Sequence, residues 1–164
     1  MSVNRWSETG QEALWDSNSN SPIKAVAEKF VSKSRSFDYL EKEIPDLYVD
    51  DGSEITKKQG KFYNEVLFPN YDDYDDFGTL LEKGAKNSFT KKLDVEVPYG
   101  CKVLELGCGT GQLSLYMSRY NRIIHGVDIS IGSLKLGEEF RRKNSRDNVF
   151  FSRQNVFNMC FKEE

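Results

Sequence analysis

The chain has 164 residues, 30% of them charged, 38% apolar and 13% aromatic, enough for one domain with its own core and short for two. No run approaches the roughly 18 unbroken apolar residues of a membrane span, and the opening MSVNRWSETG lacks the apolar stretch of a secretory signal, so a cytoplasmic location is expected. Cys101, Cys108 and Cys160 form an odd set without a C-x-x-C pair, which speaks against a disulfide framework or a zinc knuckle. With 23 Lys and Arg against 26 Asp and Glu, no general positive field exists to hold a phosphate backbone, and charge gives no reason to expect nucleic acid.

Residues 1–21 are polar, end in SNSNS and carry Trp6 and Trp15 as isolated aromatics, the composition of a flexible leader. Ser21-Pro22 is a helix-start signal, and Ile23, Val26, Ala27, Phe30 and Val31 follow at i, i+3, i+4, i+7 and i+8. That spacing predicts an amphipathic helix. Pro45 and the stretch VDDGSE read as a connection. An aromatic-rich segment containing Phe62, Tyr63, Phe68, Tyr71 and Tyr74 then leads to a second helical pattern through Leu80, Leu81, Ala85 and Phe89. Residues 22–97 together read as a helical N-terminal extension.

A turn at Pro98-Tyr99-Gly100 opens a different texture, that of the unit 98–164. KVLEL (102–106) predicts a short buried strand, Gln112–Tyr120 a helix with Leu113, Tyr116, Met117 and Tyr120 inward, and RIIHGV (122–127) a second strand. Ser130 is placed to cap a helix carrying Leu134, Leu136 and Phe140, and Val149–Arg153 is a third strand. Strand and helix alternate at close intervals, the pattern of an α/β fold with a parallel sheet and right-handed crossovers.

The chemistry concentrates in VLELGCGTGQLSLYMS (103–118). A strand runs through Gly107, Gly109 and Gly111 straight into a helix, so the backbone can turn tightly and let a ligand lie against it. Asp128 ends the next strand, 17 residues beyond Gly111, where a carboxylate can accept two hydrogen bonds from vicinal ribose hydroxyls. A nucleoside-containing ligand follows. The dinucleotide fingerprint is G-x-G-x-x-G, serving a pyrophosphate, whereas this loop is G-x-G-x-G with Glu105 two residues before it. A carboxylate there repels a pyrophosphate and suits a cationic ligand head.

In these residues the chain resembles the class I S-adenosylmethionine-dependent methyltransferases, a Rossmann-like seven-stranded family. ELGCGTG (105–111) is similar to that family's first motif, VDIS (127–130) to its acidic motif, and VFFSRQNVFNMCF (149–161) to its adenine-contacting strand and loop. Where the family usually has Gly-Asp-Ala, this chain has Gln154, Asn155 and Val156. An Asn oxygen can still accept from an exocyclic amine but lacks the charge of Asp. The resemblance implies S-adenosyl-L-methionine as cofactor, with Glu105, Gly107, Cys108, Gly109, Gly111 and Gln112 toward its methionine end. It implies Asp128 and Ile129 at the ribose and adenine, Asn155 and Val156 at the adenine edge, and a small molecule as methyl acceptor. It also implies a helical lid, with Tyr63 or Tyr71 closing the site. The family's sheet continues past its third strand, whereas this sequence stops at Glu164, so a fragment, or a half-domain completed by a C-terminal half or a partner chain, is expected. Two other readings stay open: a nicotinamide or flavin nucleotide oxidoreductase, and a non-catalytic half-domain subunit.

The remaining candidates have plainer readings. His125 lies inside the second strand and reads as a core residue, and Cys108 reads as a small filler of the loop. Asp72, Asp73, Asp75 and Asp76 lack the spacing of a calcium loop and read as solvated acids at a helix start. Arg141, Arg142, Lys143 and Arg146 complement the end of a helix dipole.

Overall fold

A computed structural model describes residues 6, 9–41, 43–56, 58, 62 and 70–162. Its described residues from Trp15 to Pro45 are built mainly of strands. A 3₁₀ turn, Gly10–Ala13, leads into β1 (Trp15–Asp16), which pairs antiparallel with β2 (Ser21–Pro22). Then β3 (Lys24–Val26), β4 (Lys29–Val31), β5 (Ser36–Glu41) and β6 (Ile44–Pro45) form an antiparallel sheet in chain order.

The helix expected after Pro22 is therefore absent, and the extension up to residue 45 is not helical. The apolar residues there satisfy two periods at once, and the period of two prevails. Ile23, Phe30 and Phe37 are buried while Val26 and Val31, partners in the helical reading, are exposed. Ala27, at φ 53°, opens the two-residue turn that brings Val26 opposite Lys29. Residues 9–21 also differ from a flexible leader. Asp16 is buried and accepts hydrogen bonds from Ser19 (2.8 Å), Ser32 (2.5 Å) and Ser34 (2.8 Å) and from the Arg35 guanidinium, which ties the two sheets of this half together.

Helices do appear in the second part of the extension: α1 (Phe77–Gly84) and α2 (Ser88–Glu96). Asp76 and Asn87 cap them by accepting from Thr79 N–H (2.9 Å) and Thr90 N–H (3.1 Å). The parallel unit follows as β7 (Lys102–Leu106), α3 (Gln112–Met117), β8 (Ile123–Asp128), α4 (Ile131–Lys143) and β9 (Val149–Arg153). The sheet order is β7-β8-β9, parallel throughout, with Leu104 opposite His125 and His125 opposite Phe150. Ser130 caps α4 through the Ser133 N–H at 3.2 Å. The helix read to Tyr120 ends earlier, because Tyr120 and Asn121 take left-handed backbone angles of 59° and 57°.

Period-two alternation gives the parallel sheet two differently covered faces. On one, Ile124, Val149 and Phe151 pack against Leu80, Leu115, Leu134 and Phe140 of the helices. On the other, Ile123 and Phe150 meet Trp6, Leu14, Phe30 and Leu47 of the N-terminal half. That half also reaches the sheet's edge, where Asp46 bridges Arg153 in parallel fashion and pairs with its guanidinium at 3.2 Å. The apolar core on this face takes in β8 and β9 but not β7, so Leu104 and Leu106 remain 40% and 52% exposed. KVLEL is thus a half-exposed strand rather than a buried one.

Candidate functional site

The glycine loop connects β7 to α3 beside the tip of β8, and its amides are turned inward. Cys108 N–H donates to the Val127 carbonyl (3.0 Å), Gly109 N–H to the Asp128 carboxylate (2.8 Å) and Gly111 N–H to the Cys108 carbonyl (2.8 Å). These three donors are spent on the fold and are not offered to a pyrophosphate. Asp128 is held by a second backbone donor, Ser130 N–H at 2.8 Å, which fixes both carboxylate oxygens in place. Each oxygen keeps a further lone pair for a hydroxyl.

The three glycines have different reasons to be glycine. Gly107 sits at φ 67° with nothing within 4 Å of where a Cβ would stand, so its backbone faces open space. Gly109 is also left-handed, at φ 54°. Gly111, at φ 76°, is a packing position, since a Cβ there would lie 2.3 Å from the Phe151 ring.

The sequence-derived site residues, Gly111 excepted, divide between two cavities that both border this loop. Gly107, Gly109, Asp128, Ile129, Asn155 and Val156 line one of about 320 Å³. Glu105, Cys108 and Gln112 line the other, of about 330 Å³, with residues of α1 and α2. The first holds a partly exposed carboxylate, an open glycine backbone and the apolar side chains of Ile129 and Val156, a set that suits a ribose and a flat base. Thr56, Ser133 and Phe157 line it too and were not anticipated. Thr56 arrives from a segment more than 50 residues upstream of the loop and carries no local signal, whereas Phe157 adjoins the quoted Asn155-Val156 pair.

Asn155 is buried, with its side-chain oxygen accepting from Phe157 N–H (3.0 Å) and its amide directed to the Val49 carbonyl (3.5 Å). Gln154 lines the same cavity but has its side chain engaged, accepting from Cys160 N–H (2.8 Å) and donating to Ser152 (2.9 Å).

In the second cavity, burial pushes the Glu105 carboxyl up to about 6, against a Ser114 hydroxyl bond of 2.5 Å that pulls the other way. Burial pushes the Cys108 thiol up as well, which keeps it protonated and unreactive. Gln112 is engaged at both ends: its amide donates to the Asn70 carbonyl (2.6 Å) and its oxygen accepts from the Tyr74 hydroxyl (3.2 Å). It straps the 70–74 segment to the loop.

Tyr71 lines neither cavity. It is buried, stacked on Phe140 at 4.2 Å and bonded to the Thr110 carbonyl at 2.8 Å, an anchor for the loop from behind. Tyr63 and Phe68 lie outside the described residues. His125 is a core residue, stacked on Phe150 at 5.4 Å and edge-on to Phe161 at 5.6 Å. Of the basic cluster, Arg141 is buried among Glu138, Glu43 and Asp147, and Arg146 donates to Ser118. Lys143 donates to the Asp75 carbonyl. Among the described residues no group of three or more His, Cys, Asp or Glu is placed to hold a metal ion, and no helix is long and apolar enough to cross a membrane.

The three parallel strands, the inward-turned glycine loop and the carboxylate at the tip of β8 define a Rossmann-like α/β arrangement. Residues 99–164 match a family described as methyltransferase domain, in keeping with the class I resemblance of ELGCGTG and VDIS. The chain is 23% identical over 135 residues to the methyltransferase GfsG of Streptomyces halstedii, covering 81% of this chain and 48% of that protein. It is 30% identical over 99 residues to the ribosomal protein L11 methyltransferase of Acetivibrio thermocellus, covering 51% of this chain and 31% of that protein. The chain thus spans about half or less of the length of these curated relatives. Among solved structures, the [4+2]-cyclase SpnF aligns with a TM-score of 0.50 at 18% identity, covering 74% of this chain and 48% of that one, a likeness of fold.

Proposed function

We propose that the chain is part of an S-adenosyl-L-methionine-dependent methyltransferase acting on a small-molecule acceptor. The observation that carries this reading is Asp128, pinned at the tip of β8 by two backbone amides and facing a cavity walled by the open backbone of Gly107. In this reading Asp128 accepts from the ribose hydroxyls, Ile129 and Val156 flank the base, and Asn155 orients the loop at its edge. The bound cofactor supplies an electrophilic methyl group. The chain's contribution is to fix the nucleoside and leave the cavity of Glu105 and Gln112 for the amino-acid end and the acceptor. Glu105 fits the cationic end by charge, and its cavity of about 330 Å³ is of small-molecule size. The inward-turned loop amides favour this cofactor over a dinucleotide, whose pyrophosphate they do not serve.

The exposed Leu104 and Leu106 support one further part of the reading. They mark a surface of β7 suited to additional sheet and helix, contributed by a longer form of this protein or by a partner chain.

Equilibrium titration with S-adenosylhomocysteine and with NAD tests the assignment. S-adenosylhomocysteine is expected to bind and NAD is not. Asp128→Asn is expected to weaken the former about 100-fold, by removing a charged acceptor from two hydroxyl bonds. Binding of NAD in its place overturns the reading.

A further inference from the structure

The cavity of about 330 Å³ beside the glycine loop has two unlike walls. Glu105 and Gln112 belong to the strand and loop side. The other wall is helical: Lys83 lies in the last turn of α1, Asn87 caps α2 and Thr90 follows in the first turn of α2. Leu80, Leu113 and Tyr116 add apolar surface. Among the described residues, Lys83 is the one cation that lines either this cavity or that of Asp128.

The two walls also differ in what they can still bond. On the loop side Gln112 is engaged at both ends, and Glu105 is an acceptor, fitted by charge to the ammonium of the cofactor. The helical side offers donors. The Lys83 ammonium donates to the Asp73 carbonyl at 2.7 Å and rests 4.5 Å from the centre of the Tyr74 ring, two contacts that fix its place. An ammonium has three protons to donate, and this bond spends one. The Asp73 carboxylate stands 3.8 Å away, beyond hydrogen-bond reach, and is 86% exposed, so water screens the charge it sets against Lys83. Asn87 spends its side-chain oxygen on the Thr90 N–H (3.1 Å), which leaves its NH₂ end for a ligand.

We propose that the methyl acceptor is a small organic acid whose carboxylate is held by the Lys83 ammonium with the Asn87 amide, its apolar body lying against Leu80, Leu113 and Tyr116. This rests on the methyltransferase reading given above. With Glu105 matched to the ammonium of the cofactor, Lys83 is the charge that the cavity keeps for the acceptor. A neutral acceptor leaves that charge without a use, and a cationic one is repelled by it. The role of Lys83 is recognition: a charge-assisted bond selects the acid over its uncharged analogues.

Benzoate, an apolar ring with one carboxylate, is the probe, and benzamide, of similar shape and no charge, is its control. Each is titrated by ligand-observed NMR into the protein saturated with S-adenosylhomocysteine, and into Lys83→Met, Lys83→Arg and Asp73→Asn, with thermal melts confirming that each variant is folded. Benzoate is expected to bind about tenfold more tightly than benzamide. Lys83→Met is expected to abolish that preference and Lys83→Arg to keep it, while Asp73→Asn, which removes the competing carboxylate, strengthens benzoate binding about twofold. Failure of benzoate to bind, equal binding of the two probes, or a preference that survives Lys83→Met overturns the organic-acid acceptor and leaves the cofactor site standing. Loss of S-adenosylhomocysteine affinity in Lys83→Met gives Lys83 to the carboxylate of the cofactor and overturns it too. Failure of the unaltered protein to bind S-adenosylhomocysteine overturns the methyltransferase reading and the acceptor with it.

Discussion

The parallel sheet is covered on its two faces by unlike structures. On the helical face, close approach does the packing: Gly111, Gly126 and Gly137 all lie where a Cβ would press on the Phe151 ring or on the Thr110 carbonyl. On the other face, strands of two to six residues carry a few large aromatics, with Trp6 edge-on to Phe150 at 5.0 Å and to Phe30 at 5.5 Å. Strands that short do not hold together by their ladders alone. What they lack in length is supplied by a buried polar node at Asp16 and by bridges such as Leu14 to Phe161 and Asp46 to Arg153, each joining residues more than 100 positions apart. One face is made of repeated local units, the other of long-range ties.

The sharpest way to break that contrast is to cut the node. Asp16→Ala strands the Arg35 guanidinium and three serine hydroxyls around an emptied site, an expected loss of about 4 kcal/mol. Asp38→Ala removes only the exposed Lys29 pair at 3.1 Å and is expected to cost under about 0.5 kcal/mol. Urea unfolding of both variants measures the difference, and equal losses would show that Asp16 holds nothing together. The acid limb supplies a second check. Burial pushes the Asp16 carboxyl up, but the bonds from Arg35, Ser32, Ser34 and Ser19 outweigh it and hold the group well below the usual range. Its contribution is therefore complete above about pH 4 and is lost as pH falls below that.

On the helical face the matching cut is Gly111→Ala. The new methyl meets Phe151 at 2.3 Å from a left-handed backbone, an expected loss of about 3 kcal/mol. Gly107→Ala adds a methyl to open space and is expected to cost only about 1 kcal/mol, from its backbone angle. The order reverses for ligand binding, where Gly107 borders the cavity and Gly111 does not. Melting and S-adenosylhomocysteine titration of the two variants separate a packing glycine from a binding one.

The same division explains what could be read from the sequence. The parallel unit is legible because each strand, loop and helix is decided locally. Val149–Arg153 has the bounds expected of it, Ser130 caps the helix it was placed to cap, and Asp128 ends its strand. The N-terminal half is not, because Ile23 to Val31 fit a helix and a hairpin alike and the choice falls to contacts outside the segment, with Trp6, with Leu47 and, more than 100 positions away, with Phe150. The site shows both behaviours. Gly107 and Asp128 stand where the loop and strand tip predict, while Thr56 reaches the cavity from the other half of the chain and Gln112 is claimed by the Asn70 and Tyr74 segment.

Glu105 offers the smallest effect and the most informative one. Its carboxyl is raised to about 6 from an ordinary value of 4.5, chiefly by burial. Between those values the folded chain keeps a proton that the unfolded chain gives up, so stability falls as pH rises through the window and stays lower above it, by at most about 2 kcal/mol. Glu105→Gln keeps an oxygen for the Ser114 hydroxyl and carries no charge to bury. It is expected to melt higher than the unaltered protein at pH 7.5 and identically at pH 4. An unbound chain that keeps a destabilising carboxylate beside a cavity has a use for it once a cation arrives. Binding of S-adenosylhomocysteine, with its ammonium, is then expected to release a proton from Glu105 near pH 6, seen as a buffer-dependent binding enthalpy, and Glu105→Gln is expected to lose that release together with affinity. A higher melt at pH 7.5 with unchanged affinity would make Glu105 a defect of packing rather than a contact for the ligand.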